Sequence, residues 1–218
     1  QYGDSSGSDL TGYVTASQDF EAAWDTYDTA AVDDFTVTTP LRVFELIAAF
    51  RLDDGGDPQL IAGFRVNIHS TLESAQTSLT GNYASLLVDI ANSYVFQLDN
   101  GDYAVSMSSE WYGGGLSNLP ILMTGEYWLS VVPVNSFSDN GQTYICHSTL
   151  GDPDGFAVNP DEGFGSGPIW YPNAPMAYGM SALSATDISV PEDYATIQEA
   201  IDAAYDGMII EVGPGTYT

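Results

Sequence analysis

The sequence predicts an all-β fold: a jelly-roll-like antiparallel β-sandwich, followed by a short C-terminal helix and strand. From about residue 20 to 183, short runs rich in Val, Ile, Tyr and Phe alternate with clusters of Gly, Asp, Asn and Pro. Helical periodicity is nearly absent from this region. The 14 Tyr, 9 Phe and 4 Trp supply enough apolar surface for a packed core, which an acidic disordered chain would lack.

Nine apolar runs are predicted strands, a number that suits a jelly roll. Acidic turns separate several of them, and Asn100-Gly101 is the clearest hairpin signal because both residues tolerate positive φ. The stretch from Leu150 to Pro175 is rich in Gly and Pro and is predicted to be an ordered surface loop. The predicted strands are Val32–Thr38, Arg42–Leu52, Leu60–His69, Ala84–Ile90, Tyr94–Leu98, Tyr103–Met107, Tyr127–Val132, Thr143–His147 and Met176–Leu183.

Composition divides the chain into three parts. Residues 1–17 contain mainly Gly, Ser, Thr and Asp and are predicted to form an extended arm. Residues 18–187 are predicted to form the sandwich. In residues 188–218, Thr196 and Glu199 have the spacing of a capping box, so a short amphipathic helix and then a strand are expected there.

Two parts of the chain resemble known families. The segments Val190–Ala204 and Val212–Tyr217 resemble the opening of a pectate-lyase-like right-handed β-helix, where a short helix caps the open end of the solenoid. The usual Gly-Asp before the first strand is reversed here, at residues 206–207. The sandwich is similar to jelly-roll domains of large secreted bacterial surface proteins, on the segments Ala31–Val37, Gly125–Val131 and Met176–Gly179. These resemblances imply an extracellular domain used for attachment, display or assembly.

The charge balance excludes several classes of partner. The chain has 30 Asp plus Glu against 3 Lys plus Arg, and a net charge of −27. No basic stripe can be built from Arg42, Arg51 and Arg65, so we expect no nucleic-acid partner. No apolar run is long enough to span a bilayer, so no membrane insertion is expected. The single Cys146 cannot form an internal disulfide.

The start of the chain favours an extracellular or cell-surface location. Gln1, followed by a Gly, Ser and Asp stretch, would suit a mature N-terminus left by a removed signal peptide. The polar composition without Lys agrees with this interpretation.

Catalytic motifs are weak, and we predict that the chain is not an enzyme. Gly3–Gly7 matches the nucleophile-elbow pattern G-x-S-x-G, but it lies in the predicted arm without the strand and helix that the motif needs. His69 ends an apolar run, and His147 lies beside the single Cys146 without paired carboxylates, so a zinc site is not predicted and both His are interpreted as structural.

Calcium is the cofactor for which the sequence offers ligands. Hard cations bind clusters of carboxylate and carbonyl oxygens in loops, and the acidic turns provide them. The alternative is that these carboxylates are only solvated. The candidate ligands are Asp53, Asp54 and Asp57, then Asp99 and Asp102, then Asp152, Asp154, Asp161 and Glu162.

Aromatic residues in Gly- and Pro-rich loops indicate a second kind of site. Trp111 and Tyr112 precede three glycines, and Trp170 and Tyr171 precede a proline. Exposed rings in such loops could stack on sugars, or they could fold back on the core.

The leading functional hypothesis is self-assembly. A C-terminal strand from Met208 to Val212 would leave an unpaired edge unless another strand covers it. A neighbouring copy could supply that strand, and a head-to-tail contact of this kind builds a filament or surface layer. The alternative is a non-catalytic carbohydrate-binding or adhesion sandwich attached to a β-helix enzyme. The predicted assembly residues are Tyr2, Leu10, Tyr13, Val14, Ile209, Ile210 and Val212.

Overall fold

The computed structural model describes residues 7–53, 55–111, 113–185, 187–204 and 208–217. Of the predicted site residues, Tyr2, Asp54 and Tyr112 lie outside these ranges. The strands are β1 (Leu10–Ala16), β2 (Ala30–Val37), β3 (Leu41–Leu52), β4 (Gly63–His69), β5 (Ala84–Asp89), β6 (Tyr94–Gln97), β7 (Tyr103–Ser108), β8 (Gly125–Val134), β9 (Thr143–Ser148), β10 (Phe156–Val158), β11 (Ile169–Trp170), β12 (Tyr178–Ser184), β13 (Asp187–Val190) and β14 (Ile209–Val212).

Most strands belong to two six-stranded antiparallel sheets. The first sheet has the order β1-β9-β3-β7-β6, with β12 also paired to β3. The second has the order β11-β10-β2-β8-β4-β5. A separate parallel pair contains β13 and β14. The predicted fold class, an antiparallel β-sandwich followed by a helix and a strand, is confirmed.

The main core lies between the two sheets. Alternate residues of a strand share a face, so Leu46, Ala48 and Phe50 of β3 point together into one buried cluster. They meet alternate residues of β4, including Phe64 and Ile68, in the same cluster. The rings of Phe50 and Phe64 are T-shaped with centroids 5.5 Å apart. This aromatic contact joins a strand of one sheet to a strand of the other.

Two hydroxyl groups complete the pairing of β2 with β8 where the ladder stops at Val32. The Tyr178 hydroxyl donates to the Ala31 carbonyl at 2.8 Å and accepts from the Val131 N–H at 3.3 Å. The Ser17 hydroxyl accepts from the Ala31 N–H at 3.3 Å and donates to the Val131 carbonyl at 3.4 Å. Because Tyr178 belongs to β12, its hydroxyl also ties the first sheet to the second.

All nine predicted strands are present, with small shifts in their bounds. The largest shift is at β4, which begins at Gly63 because Pro58–Leu60 forms a 3-10 helix capped by the Asp57 carboxylate. The predicted loop from Leu150 to Pro175 also contains the short strands β10 and β11. Part of the predicted arm forms β1, an edge strand paired with β9 of the same chain.

Three short α-helices accompany the strands: α1 (Leu72–Thr77), α2 (Phe137–Asn140) and α3 (Ile197–Ala203). The predicted capping box is confirmed, since Thr196 Oγ1 accepts from the Glu199 N–H and the Glu199 carboxylate accepts from the Thr196 N–H. Helix α3 packs against the β13–β14 pair in a small cluster of its own. None of the helices in the described ranges has the length and apolar composition that a bilayer span requires.

Replacing Tyr178 by Phe should lower the free energy of unfolding by about 1–3 kcal/mol, because a buried N–H and a buried carbonyl lose their partner. Urea unfolding measures this change. The matched control is Tyr13→Phe, since Tyr13 is 74% exposed, and its effect should stay below about 0.5 kcal/mol. If both variants unfold at the same urea concentration, the hydroxyl does not hold the strands together.

Candidate functional site

The most clearly built surface site is at the loop that joins β1 to β2. Gln18 and Thr29 close this loop with reciprocal backbone hydrogen bonds of 2.9 and 3.0 Å. Inside it, the Trp24 N–H donates to the Glu21 carbonyl, and a 3-10 helix follows over Asp25–Tyr27. These consecutive turns bring Phe20, Trp24 and Tyr27 into contact, with ring centroids 6.5 Å apart for Phe20–Tyr27 and 5.6 Å apart for Trp24–Tyr27.

Helix α2 adds a fourth ring from the connection between β8 and β9. Ser136 caps the helix, and Gly141 ends it with a φ of 73°, a conformation that favours glycine. The Glu21 carboxylate accepts from the Phe137 N–H at 2.7 Å and from the Ser138 hydroxyl at 2.6 Å. The Phe137 ring therefore lies 6.0 Å from Phe20 and 5.9 Å from Trp24, measured between centroids.

The fifth ring comes from residues 159–168. The Asn159 side-chain amide donates to the carbonyls of Thr26 and Asp28, at 2.9 and 2.8 Å, and fastens this segment to the β1–β2 loop. Gly163 passes so close to Thr26 that an added Cβ would lie 2.3 Å from its carbonyl oxygen. This close approach holds the Phe164 ring 5.3 Å from Tyr27, edge to face.

These five residues, Phe20, Trp24, Tyr27, Phe137 and Phe164, form what we call the aromatic cup. Together with Gln142 they line an open cavity of about 230 Å³. Trp24, Phe137 and Phe164 are 38%, 41% and 43% exposed, whereas Phe20 is buried. Within the described part of the chain, neither the Trp24 indole N–H nor the Tyr27 hydroxyl has a hydrogen-bond partner. The cup thus offers apolar ring faces and two free polar groups to a ligand.

Carboxylates accept hydrogen bonds from the backbone of two residues of the cup, Phe137 and Phe20. Hydrogen bonds, above all the one from the Ser138 hydroxyl, lower the pKa of Glu21 to about 2, so that it stays ionised. Asp28 accepts from the Phe20 N–H at 2.7 Å, and burial raises the pKa of Asp28 to about 6. Asp25, which lies between Trp24 and Tyr27 in sequence, is exposed on the 3-10 helix. The electrostatic environment of the cup is therefore negative.

The structure relates only one of the predicted glycan-binding residues to this cup. The Trp170 ring lies 6.1 Å from Phe164 and extends the row of rings. Tyr171 is 57% exposed, but it contacts Phe156 and accepts a hydrogen bond from Gln76. Trp111 is 53% exposed and packs edge to face on Phe44 of β3, away from these rings.

The predicted calcium ligands have other roles or stand alone. Asp53 accepts from the Tyr144 hydroxyl and the Gln142 N–H, both at 3.0 Å. Asp102 forms an ion pair with Arg51 at 2.6 Å. Asp57 is exposed and accepts from the Gln59 N–H at 2.9 Å. The remaining described candidates are also exposed: Asp99, Asp152, Asp154, Asp161 and Glu162. Over the described ranges, no three His, Cys, Asp or Glu side chains are grouped as a metal site would need, and calcium binding stays a prediction.

The predicted assembly residues fall into two groups. Leu10 and Val14 of β1 pack on the outer face of the first sheet, while Tyr13 points to solvent. On β14, Ile210 packs towards α3, while Ile209 and Val212 are 59% and 46% exposed. Tyr13, Ile209 and Val212 are thus exposed, and their role in assembly stays a prediction.

A second cavity, of about 370 Å³, lies at β2 and β12. It is lined by Asp33, Asp34 and Asp152 together with Met176 and Tyr178. Burial raises the pKa of Asp33 to about 7, although its carboxylate accepts from the Met176 N–H at 2.9 Å. A carboxyl group of this kind can hold a proton near neutral pH. No second group in this cavity has a partner geometry that suggests a reaction.

Sequence reasoning missed the aromatic cup. Phe20, Trp24 and Tyr27 follow one another at intervals of four and three residues, and this spacing is a signal that rings share one side of a turn. Phe137 and Phe164 carry no such local signal, because tertiary contacts bring them in. Comparison of the chain with protein-family models, curated proteins and solved structures gives no match. The functional argument therefore rests on the geometry of this chain.

The raised pKa of Asp33 predicts a pH-dependent stability. The pKa of Asp33 in the folded chain, about 7, exceeds its ordinary value of 3.8, so folding favours the protonated carboxyl. The protonated carboxyl therefore contributes fully to the free energy of unfolding below about pH 4, and this contribution is lost as pH rises through 7. Asp33→Asn should remove that loss and raise the free energy of unfolding at about pH 8 by up to about 4 kcal/mol, with little effect at about pH 4.

Urea unfolding at the two pH values checks this. Asp152→Asn, at an exposed carboxylate of the same cavity, is the control and should show no such pH dependence. An Asp33→Asn effect of equal size at both pH values would mean that packing, and not charge, is responsible.

Proposed function

We propose that the chain is a non-catalytic carbohydrate-binding β-sandwich that holds a sugar ring in the aromatic cup. The observation that carries this proposal is the convergence of five aromatic rings from three separate loop segments around one open cavity. Loops presented by a rigid scaffold are the usual place for binding residues. We infer an extracellular setting from the composition of the chain.

The size and chemistry of the cup suit a single ring. Sites for drug-sized molecules span roughly 300–1,000 Å³, and the cup, at about 230 Å³, is smaller. The apolar face of a pyranose can stack on an aromatic ring, while its hydroxyls need polar partners. The indole N–H of Trp24 and the hydroxyl of Tyr27 are available for that purpose. Trp170, next to Phe164, could contact the following sugar of an oligosaccharide.

Trp24→Ala should weaken binding to the preferred polysaccharide about tenfold or more, because an aromatic residue central to a binding site typically contributes over 1–2 kcal/mol. Affinity electrophoresis against neutral, amino and acidic polysaccharides identifies the ligand, and calorimetry with its oligosaccharide measures the loss. Trp24 is partly exposed, so the fold should survive the change.

The matched control is Trp111→Ala, which removes an even more exposed Trp outside the cup. It should bind as the unchanged protein does. Equal binding by Trp24→Ala and the unchanged protein would exclude the cup as the site, and no binding to any polysaccharide would overturn the proposed function.

A second candidate function, self-assembly by strand addition, is favoured by β14. Among the described residues this strand pairs only with β13. Its Ile209 and Val212 side chains are largely exposed. An open strand edge with apolar side chains is a template for pairing with another chain. A second copy of this chain would be the partner, as in a filament or surface layer.

Ile209→Lys should abolish assembly, because a charge at a strand edge opposes pairing. Sedimentation velocity at increasing micromolar concentration measures the species present. Ile201→Lys is the control, since Ile201 is similarly exposed on α3 and should leave assembly intact. If the unchanged protein sediments as a monomer at every concentration, self-assembly by strand addition is excluded.

A further inference from the structure

Every Arg side chain of the chain is paired with a carboxylate. There is no Lys, and each of the three Arg residues is paired with an Asp. Arg42 lies 3.2 Å from Asp193, Arg51 lies 2.6 Å from Asp102, and Arg65 lies 2.6 Å from Asp19. A ligand carrying carboxylates or sulfates would find no unpaired Arg or Lys side chain and would meet a net charge of −27.

The aromatic cup lies within this negative field, and its own surroundings strengthen it. The Glu21 carboxylate, whose low pKa keeps it ionised, is fixed against the backbone of Phe137. Asp25, next to Trp24 in sequence, is exposed. Aromatic faces attract cations through their quadrupole, and this attraction grows when the site is shielded from water. Rings and carboxylates therefore favour the same sign of ligand charge.

We propose that the sugar bound in the aromatic cup carries a protonated amine, so that the preferred ligand is a polymer of amino sugar with free amino groups. This inference rests on the proposed carbohydrate binding and specifies its ligand class. The ring of the sugar stacks in the cup, and its ammonium group lies among the ring faces and the nearby carboxylates of Glu21 and Asp25. N-acetylation removes the charge and with it this part of the binding.

The test compares two oligosaccharides of the same length and linkage, one of glucosamine and one of N-acetylglucosamine, together with an oligogalacturonate. Calorimetry at mildly acidic pH and low salt should give about tenfold tighter binding for the free amine than for its acetylated twin. The oligogalacturonate should not bind. Added salt should narrow the difference, because exposed charges are screened.

A polycation could also adhere loosely to any chain of this charge, so variants must locate the effect. Trp24→Ala should abolish the preference for the free amine, and Trp111→Ala should keep it. Asp25→Asn should reduce the preference several-fold, whereas Glu192→Asn, which removes one exposed carboxylate outside the sandwich, should not. If Trp24→Ala keeps the full preference, diffuse attraction explains it and the inference fails.

The remaining outcomes separate this inference from the proposed function. If the glucosamine and N-acetylglucosamine oligosaccharides bind with equal affinity, and Trp24→Ala abolishes that binding, the charge preference is overturned and carbohydrate binding in the cup stands. Tighter binding of the oligogalacturonate would also overturn the charge preference. Failure of every oligosaccharide to bind would overturn both.

Discussion

The structure depends on the hydrogen bonds that two adjacent buried residues, Ser17 and Gln18, make with neighbouring segments. Ser17 supplies one of the hydroxyls that bridge β2 and β8. Gln18 donates to the Asn135 carbonyl and accepts from the N–H and hydroxyl of Thr143. Buried polar groups are costly unless every one finds a partner, so these bonds fix the end of β1 against β8 and β9. The loop that carries three of the five rings of the aromatic cup begins at the next residues.

The same network sets the position of α2. The Asn140 side chain donates to Asn135 Oδ1 at 2.8 Å, and the Asn135 side chain donates to the Gly141 carbonyl at 2.8 Å. Phe137 thus projects from a helix that is held at its end by buried amides. Asn159 anchors the third segment in the same manner. The cup consists of loops, yet each loop is held by a buried side-chain amide, which in the third segment joins it to the β1–β2 loop. A site that is already ordered loses less entropy on binding.

The sequence predicts the parts of this protein that are encoded locally. Alternating apolar runs gave nine strands, and the Thr196–Glu199 spacing gave the start of α3. Strand β1 was not predicted from the sequence, because Gly12 and a register irregularity interrupt its alternation of apolar and polar residues. The sequence did not predict the cup, for a different reason. Tertiary contacts bring Phe137 to Phe20 and Trp24, and Phe164 to Tyr27, and no local pattern reveals these contacts. Asp53 resembles a cation ligand in sequence, but its carboxylate accepts hydrogen bonds from Gln142 and Tyr144, which are distant in sequence.

Charge and shape act together at the cup. An exposed carboxylate in water attracts a cation only weakly, and salt screens the attraction. An aromatic cavity excludes part of that water and adds its own attraction for cations, so the same carboxylates act more strongly there. Pairing all three Arg with Asp removes competing cations from the surface and leaves the acidic shell uncompensated. Selectivity then arises on two counts: the rings require an apolar face, and the shell repels anions from every direction of approach.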